Sequence, residues 1–305
     1  MIEWGRLVIG NIHKGGNAIL IKDIYKNGKT VFSFEVFPPK KNEEIYDLYK
    51  TLDTLTTLHP DFISVTYGAG GSNSKKTAAI AAYIKNICEI EPIAHMTAVA
   101  MDEAFLTQLL NELSEKGIHN VLALRGDRPR DMSDEDYENR HFRYAEDIIK
   151  IIKKHSDICV AAACYPEMHP ESLSRETDLQ YLKQKIDCGV NFLITQMFFD
   201  NTQFYRFREE AHKHNICIPI SAGIMPITSA RQLGTSVSLS GTSVPQALSN
   251  LVAKYADNPT DLRKAGIDYA INQINDLIDN DIDGIHIYTM NKASTACEIM
   301  NGVNA

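Results

Sequence analysis

The segment Ser33-Phe34-Glu35-Val36-Phe37-Pro38-Pro39-Lys40 sets a carboxylate among aromatic residues, and two prolines then stop the run. Burying a glutamate on the inner side of a strand favours its neutral form, which suits a general acid working near neutral pH. The same residue could equally form a structural ion pair with a cation such as Arg125, and spacing alone leaves both readings open. Thr66-Tyr67-Gly68-Ala69-Gly70-Gly71-Ser72 is a glycine-rich turn that could bring backbone amides close to a ligand. It lacks the dinucleotide fingerprint, because Asn73 stands where the third glycine belongs, and it also reads as a tight strand-to-helix turn. Leu124-Arg125-Gly126-Asp127 places a cation and an anion on either side of a flexible residue. Cys164-Tyr165-Pro166-Glu167-Met168-His169-Pro170 and Thr195-Gln196-Met197-Phe198-Phe199-Asp200 each combine polar and aromatic groups at the end of an apolar run. His95 and His169 raise the question of a metal, but without HxH, HExxH or an acidic cluster beside them no metal site is expected. No lysine closes the Phe192 run, which argues against a Schiff-base aldolase.

These groups all end runs of one kind. Thr30–Phe37, Asp61–Gly70, Pro92–Ala100, Val121–Asp127, Ile158–Pro166, Phe192–Asp200, Ile218–Pro226 and Gly284–Met290 are eight apolar runs, and each is followed by a helix-patterned stretch. Strands alternating with helices imply a parallel sheet, and eight such units close an α/β (β/α)8 TIM barrel. Active sites in such barrels lie at the carboxyl ends of the strands, where this chain carries Glu35, Thr66, His95, Asp127, Tyr165, Gln196 and Tyr288. Ile45, Leu48, Leu52 and Leu55 make one helical stripe that faces the sheet. Ile267, Ala270, Ile271, Ile274, Leu277 and Ile278 make another. Arg128–Phe142 is a long charged connection that reads either as a ligand cover or as a solvated excursion. Thr228–Asp283 must hold at least one extra helix.

The 305 residues fit one barrel domain, 1–305, in which 1–29 form a helical or irregular extension. A net charge of −8 argues against nucleic acid and against an anionic membrane surface, so a small ligand is expected. Six cysteines without CxxC spacing read as reduced core residues of a cytoplasmic protein. The amino-terminal residues show no signal peptide, and no run of about 18 apolar residues occurs, so neither secretion nor membrane insertion is expected.

Together, SFEVFPPK, VTYGAGGS, ALRGD, CYPEMHPE, ITQMFFD, AGIMPI and IYTMN resemble methylenetetrahydrofolate reductases, in the same order from about Ser33 to Lys292. The chain looks like the bacterial form of that family, the catalytic barrel alone. The resemblance implies FAD held non-covalently across the strand ends and NADH or NADPH as reductant, NADH being the expectation by analogy with bacterial members. It implies a ping-pong reduction of 5,10-methylenetetrahydrofolate to 5-methyltetrahydrofolate that feeds methionine synthesis, and a homo-oligomer. By motif position Glu35 would be the general acid and Asp127 the charge that stabilises an iminium cation. Thr66, His95, Arg125, Gly126, Asp127, Tyr144, Tyr165, His169, Asp178 and Lys185 would bind FAD, and Gln196, Tyr288 and Lys292 would bind substrate. Asp178 and Lys185 are seven apart in a helix-patterned segment and so share a face. Two positions depart from the pattern. Ala230 stands where an aromatic is expected, which leaves a stacking partner to be supplied from a flexible 228–243 segment, and Lys292 replaces a frequent arginine, a less rigid carboxylate ligand. A flavin-free barrel lyase or hydrolase and a noncatalytic folate- or flavin-binding protein are the competing readings.

Overall fold

The computed structural model describes residues 19–41, 44–67, 74–129, 131–154 and 158–304. Within them β1 (Val31–Val36), β2 (Phe62–Val65), β3 (Glu91–Thr97), β4 (Asn120–Leu124), β5 (Cys159–Cys164), β6 (Phe192–Thr195), β7 (Ile220–Ile224) and β8 (Gly284–Tyr288) form a closed barrel in sequence order. Every neighbouring pair is parallel, and β8 closes on β1 with Ser33 opposite His286 and Glu35 opposite Tyr288. The expected (β/α)8 barrel is therefore what the chain adopts. The strands are shorter than the apolar runs, because each run's final residues belong to the loop at the barrel mouth.

Period-two alternation divides each strand between two cores. Outward residues such as Phe34, Val36, Ile63, Val65, Ala94, Met96, Ile285 and Ile287 pack under the surrounding helices. Those helices include α2 (Ile45–Thr56), which buries Leu48, Leu52 and Leu55 as its stripe requires, and α11 (Pro259–Asp279), which buries Ile267, Ala270, Ile274 and Leu277. Inward residues Val31, Phe62, Ile93, Leu122, Cys159, Ala161, Phe192 and Ile194 form a separate inner cluster.

That inner cluster has a floor. The short helix α1 (Ile21–Ile24) and the turn after it place Ile21, wholly buried, among the inward residues, with Leu20, Ile24 and Tyr25 around it. The Asn120 side chain at the start of β4 accepts from the Ile21 N–H at 2.9 Å and donates to the Ile19 carbonyl at 3.1 Å, so both sides of the incoming backbone are satisfied. The Tyr25 ring lies 5.1 Å from Phe192, and its hydroxyl is 2.8 Å from Ser221 Oγ. Residues 19–27, part of the stretch 1–29 expected as a helical or irregular extension, thus seal the amino-terminal end of the barrel; residues 1–18 lie outside the described ones.

Two long connections carry added helices. Arg128–Phe142 contains α5 (Asp134–Glu138), held locally by the Arg128–Asp134 pair at 2.6 Å and by Arg128 and Arg140 over the Tyr137 ring. Thr228–Asp283 contains α9 (Ala230–Ser240), α10 (Gln246–Lys254) and α11. The segment expected to be flexible is largely α9, opened by Ser229, whose hydroxyl accepts the Gln232 N–H as an N-cap. Of the cysteines, all free, Cys159 and Cys164 are core residues as expected; Cys217 is exposed and Cys88, Cys188 and Cys297 are half-buried, because they lie beyond strand interiors. No helix among the described residues is long and apolar enough to cross a membrane.

Candidate active site

Glu35 occupies the last inward position of β1 and is 18% exposed, at the mouth of an interior that is otherwise closed. Its backbone carbonyl accepts from both Thr289 N–H, 3.3 Å, and Thr289 Oγ1, 2.7 Å, which ties the strand end to the loop after β8. Asn291 completes the tie by bonding Phe37 through both ends of its amide, at 3.0 and 2.8 Å. Met290 and Asn291 adopt left-handed φ values of 52° and 54°, a strained turn that this double tie holds in place.

Two imidazoles flank the Glu35 carboxyl. His95 Nε2 of β3 and His286 Nε2 of β8 each lie 3.6 Å from Glu35 Oε2, beyond hydrogen-bond range. His95 is 4% exposed and its Nε2 makes no hydrogen bond. Burial drives its pKa down to about 4, Glu35 opposing and His286 adding to the shift, so the ring is neutral at pH 7 and the contact is not an ion pair. His286 is fully buried, with Nδ1 2.7 Å from Ser33 Oγ and Nε2 3.3 Å from Ser64 Oγ. Tyr288, two residues on, donates its hydroxyl to the Thr195 carbonyl at 2.8 Å. Burial, and next the charge of Glu35, raise the Tyr288 pKa well above the usual phenol value. The contact requires glycine at 223: a Cβ there would sit 2.4 Å from Thr195 O and 2.7 Å from the Tyr288 hydroxyl.

The structural alternative for Glu35, an ion pair with Arg125, is not formed. Arg125 instead makes a bidentate pair with Glu171, at 2.5 and 2.8 Å, because both lie on loops at the rim while Glu35 sits deeper in the bore. Gly126 takes φ +82°, and a Cβ there would meet Thr97 Cβ at 2.7 Å and Val99 Cγ1 at 2.8 Å, so this loop is packed tightly over β3. Asp127 is exposed on the same rim as Glu35, beyond the carboxyl end of β4. It bears electrostatically on Tyr165, whose pKa burial pushes up to about 12, Arg125 opposing and Asp127 and Asp178 adding. Tyr165 and His169 meet edge to face at 4.6 Å across Met168, a non-glycine residue at φ +82°.

Asp178 and Lys185 both lie on α7 (Arg175–Asp187), as their spacing implies. Asp178 accepts from Ser172 Oγ at 2.8 Å; the Lys185 ammonium donates to the Ala163 carbonyl at 2.6 Å, and burial lowers its pKa. Gln196 Oε1 accepts from the Met197 N–H at 2.9 Å, which leaves its NH2 as the end to offer a ligand. Thr66 holds the start of the next helix through its carbonyl, which accepts from Thr77 Oγ1 at 2.9 Å. Tyr144 is exposed at the N-cap of α6 (Ala145–Ile152), beside a cleft of about 560 Å³ lined by His141, Arg143, Asp147 and Lys150. Lys292 is exposed just before α12 (Ala293–Gly302). The glycine-rich turn at 68–73 lies outside the described residues. Ala230 opens α9 and is exposed, and residues 228–243 contain no aromatic, so no stacking partner comes from that segment. No cluster of three metal-ligating side chains occurs among the described residues.

Sequence reasoning passed over Ser33, Ser64 and His286. The signal was available: each stands two residues before a named candidate or strand end (Glu35, Thr66, Tyr288), hence on the same inward face.

The family model for methylenetetrahydrofolate reductase matches residues 20–304. A 5,10-methylenetetrahydrofolate reductase of Pectobacterium carotovorum is 32% identical over 272 residues, covering 89% of each chain. A Salmonella typhimurium protein of the same name is 32% identical over 273 residues, covering 89% of this chain and 90% of its own. Methylenetetrahydrofolate reductase (NADH) 1 of Arabidopsis thaliana is 32% identical over 291 residues, 92% of this chain, which spans 49% of the plant protein. Among solved structures, a Clostridium thermocellum protein described as binding two copies of 5-methyl-5,6,7,8-tetrahydrofolic acid superposes with a TM-score of 0.62 at 17% identity, covering 93% of this chain and 98% of its own, a likeness of fold. With a family match over nearly the whole barrel and bacterial relatives of equal extent, the chain belongs to the methylenetetrahydrofolate reductase family.

Proposed function

We propose that this chain reduces 5,10-methylenetetrahydrofolate to 5-methyltetrahydrofolate, with FAD as its resident cofactor and NADH as reductant, in a ping-pong sequence. The observation that supports this most is the setting of Glu35: a lone carboxyl at the mouth of the bore, facing two imidazoles and a tyrosine with no cation paired to it among the described residues. That setting suits a general acid better than a structural ion pair.

The donor set suits the flavin. Arg125 offers a planar fork that a diphosphate could take from Glu171, Lys185 is a half-buried cation whose ammonium, among the described residues, donates to a backbone carbonyl, and His95 carries a ring nitrogen at the mouth with no partner among the described residues. Thr66, Gly126, Asp127, Tyr144, Tyr165, His169 and Asp178 complete the set by family position. When bound, the flavin would supply a two-electron carrier between nicotinamide and folate. Glu35 gives its proton to the folate N10 as the imidazolidine C–N bond breaks, leaving a cation at N5. Asp127, at the open rim, stabilises that cation. Gln196 presents its NH2 to an acceptor on the pterin edge, Tyr288 holds its ring beside Glu35, and Lys292 offers a point charge to the glutamate tail. The methylated product is a substrate for methionine synthesis.

Glu35→Gln tests the assignment. It should block the folate half-reaction by about 10²–10⁴-fold while leaving oxidation of reduced nicotinamide by menadione intact, because only folate reduction consumes the proton. Equal loss in both half-reactions would remove Glu35 from the role. A colourless purified protein would remove the flavin.

A further inference from the structure

Met197, Phe198 and Phe199 carry the chain from Gln196, just past β6, to Asp200, the N-cap of α8 (Asn201–Lys213). Phe198 and Phe199 are 0% and 2% exposed, so their side chains draw this backbone away from water, where a carbonyl must find its donor in the protein. Each of these residues finds one in a side chain. Thr242 Oγ1 donates to Met197 O at 2.8 Å, Gln273 Nε2 to Phe198 O at 2.9 Å, and the Tyr269 hydroxyl to Phe199 O at 2.5 Å.

The chain is held before Gln196 as well. Thr195 O accepts from Tyr288, and the Gln196 N–H of the same peptide unit donates to Cys164 O at 2.7 Å. The unit joining Gln196 to Met197 is therefore bounded on both sides by pinned units. Its N–H is the one that reaches back to Gln196 Oε1 at 2.9 Å. A backbone N–H can meet only the oxygen end of an amide, so this contact decides which end of Gln196 is which and leaves the NH2 to a ligand.

The donors come from far along the chain. Thr242, 4% exposed, lies between α9 and α10, in the connection that is longer than a barrel unit requires. Tyr269 and Gln273 stand four apart on one face of α11, and Gly266, three residues before Tyr269, shares that face. A Cβ at Gly266 would collide with the Ile227 carbonyl oxygen, so the α11 backbone rests directly on the loop after β7. The Gln273 carbonyl in turn accepts from Asn201 Nδ2 at 3.0 Å. α11 is thus seated against two loops at the mouth and gives the donors a fixed base. Burying two phenylalanines would set the path of the loop after β6. Directional bonds to consecutive carbonyls also set how its peptide planes are turned, and the next plane carries the N–H that Gln196 reads.

We propose that Thr242, Tyr269 and Gln273 are positioning residues for substrate recognition: by pinning the carbonyls of Met197, Phe198 and Phe199 they hold the Met197 N–H on Gln196 Oε1, so that the folate meets an amide whose NH2 is already aimed. This rests on the reading of Gln196 as a substrate-binding residue. Each of the three acts through Gln196, and what it saves is the cost of ordering a long side chain at every encounter.

The test is a double-mutant cycle in the holoprotein. Thr242→Val and Tyr269→Phe remove a hydroxyl and keep the shape. Each should lower kcat/KM for methylenetetrahydrofolate by about 3–10-fold, the size of one ordered side chain, and Thr242→Ser, which keeps the hydroxyl, should restore it. In a Gln196→Ala background, where no amide remains to be aimed, the same substitutions should change it by less than about twofold. An equal factor in both backgrounds marks a merely structural role and overturns the proposal, as does a Thr242→Ser protein no better than Thr242→Val. Amide hydrogen exchange supplies a readout that needs no turnover. The Met197 N–H should exchange at least about fivefold faster in Thr242→Val and in Tyr269→Phe while the β6 amides keep their wild-type rates. An unchanged rate at Met197, or equal acceleration along β6, overturns the proposal. A wild type that turns over no folate overturns the proposed function instead, while the exchange rates still decide whether these bonds hold Gln196.

Discussion

Gly223→Ala is the sharpest small perturbation of the site. A methyl at this position lands 2.4 Å from Thr195 O and 2.7 Å from the Tyr288 hydroxyl, both inside van der Waals contact. Thr195 O is backbone of the adjacent strand, and Gly223 N–H is itself bonded to Thr195 Oγ1 at 2.8 Å, so the strands cannot part without losing that bond. The strand must therefore strain against Thr195 O and the tyrosine must also move, giving up its 2.8 Å bond to that carbonyl. Overpacking at about 1–3 kcal/mol and one lost buried hydrogen bond at about 1 kcal/mol sum to roughly 2–4 kcal/mol. In a domain of this size that lowers the melting temperature by roughly 3–6 °C. Because the displaced ring lies next to Glu35, the folate half-reaction should fall more than the nicotinamide half-reaction. Gly234→Ala, in α9 with nothing within 4 Å of the added carbon, is the control and should stabilise by about 0.5–1 kcal/mol. Differential scanning calorimetry on the three proteins decides the matter. A Gly223→Ala melting temperature within about 1 °C of wild type would refute the packing argument.

Further outcomes follow from other contacts. His95 is neutral when folded down to about pH 4, whereas an unfolded chain protonates it below 6.5. Stability should therefore fall as pH drops through that window, by a few kcal/mol in order of magnitude, and urea titrations at several pH values should show a shallower fall in His95→Gln. Asn120→Ala strands the Ile21 N–H at the barrel floor and should lower stability by about 1–3 kcal/mol, read as a shifted urea midpoint; an unchanged midpoint would show that the floor segment is not tied there. Glu171→Gln frees the Arg125 fork from its carboxylate, so flavin retention measured by fluorescence on dilution should rise; a fall would mean that Glu171 orders the loop rather than competing with the ligand.

The barrel was legible because each strand belongs to a largely apolar run that a parallel sheet buries on both faces, and the mouth was legible because polar and aromatic groups such as Glu35, Asp127, Tyr165 and Gln196 gather toward the ends of those runs. What the sequence hid is lateral. Ser33 and His286 are 253 residues apart and Ser64 and His286 are 222 apart, and they meet only once the barrel closes with β8 in its observed register on β1. The choice between Arg125 and the histidines as neighbours of Glu35 turned on depth along the bore, which linear spacing does not encode. What residues 19–27 do was hidden for a similar reason: their partners, Asn120, Phe192 and Ser221, come from three distant strands.

The plug formed by Ile21 and Tyr25 also makes the barrel a blind well. With Phe62 and Phe192 closing the space around it, traffic to Glu35 has one doorway, through which each molecule enters and by which it must also leave. Two flat molecules that need the same spot at the end of such a well exclude one another, so whichever arrives second must queue until the first has gone.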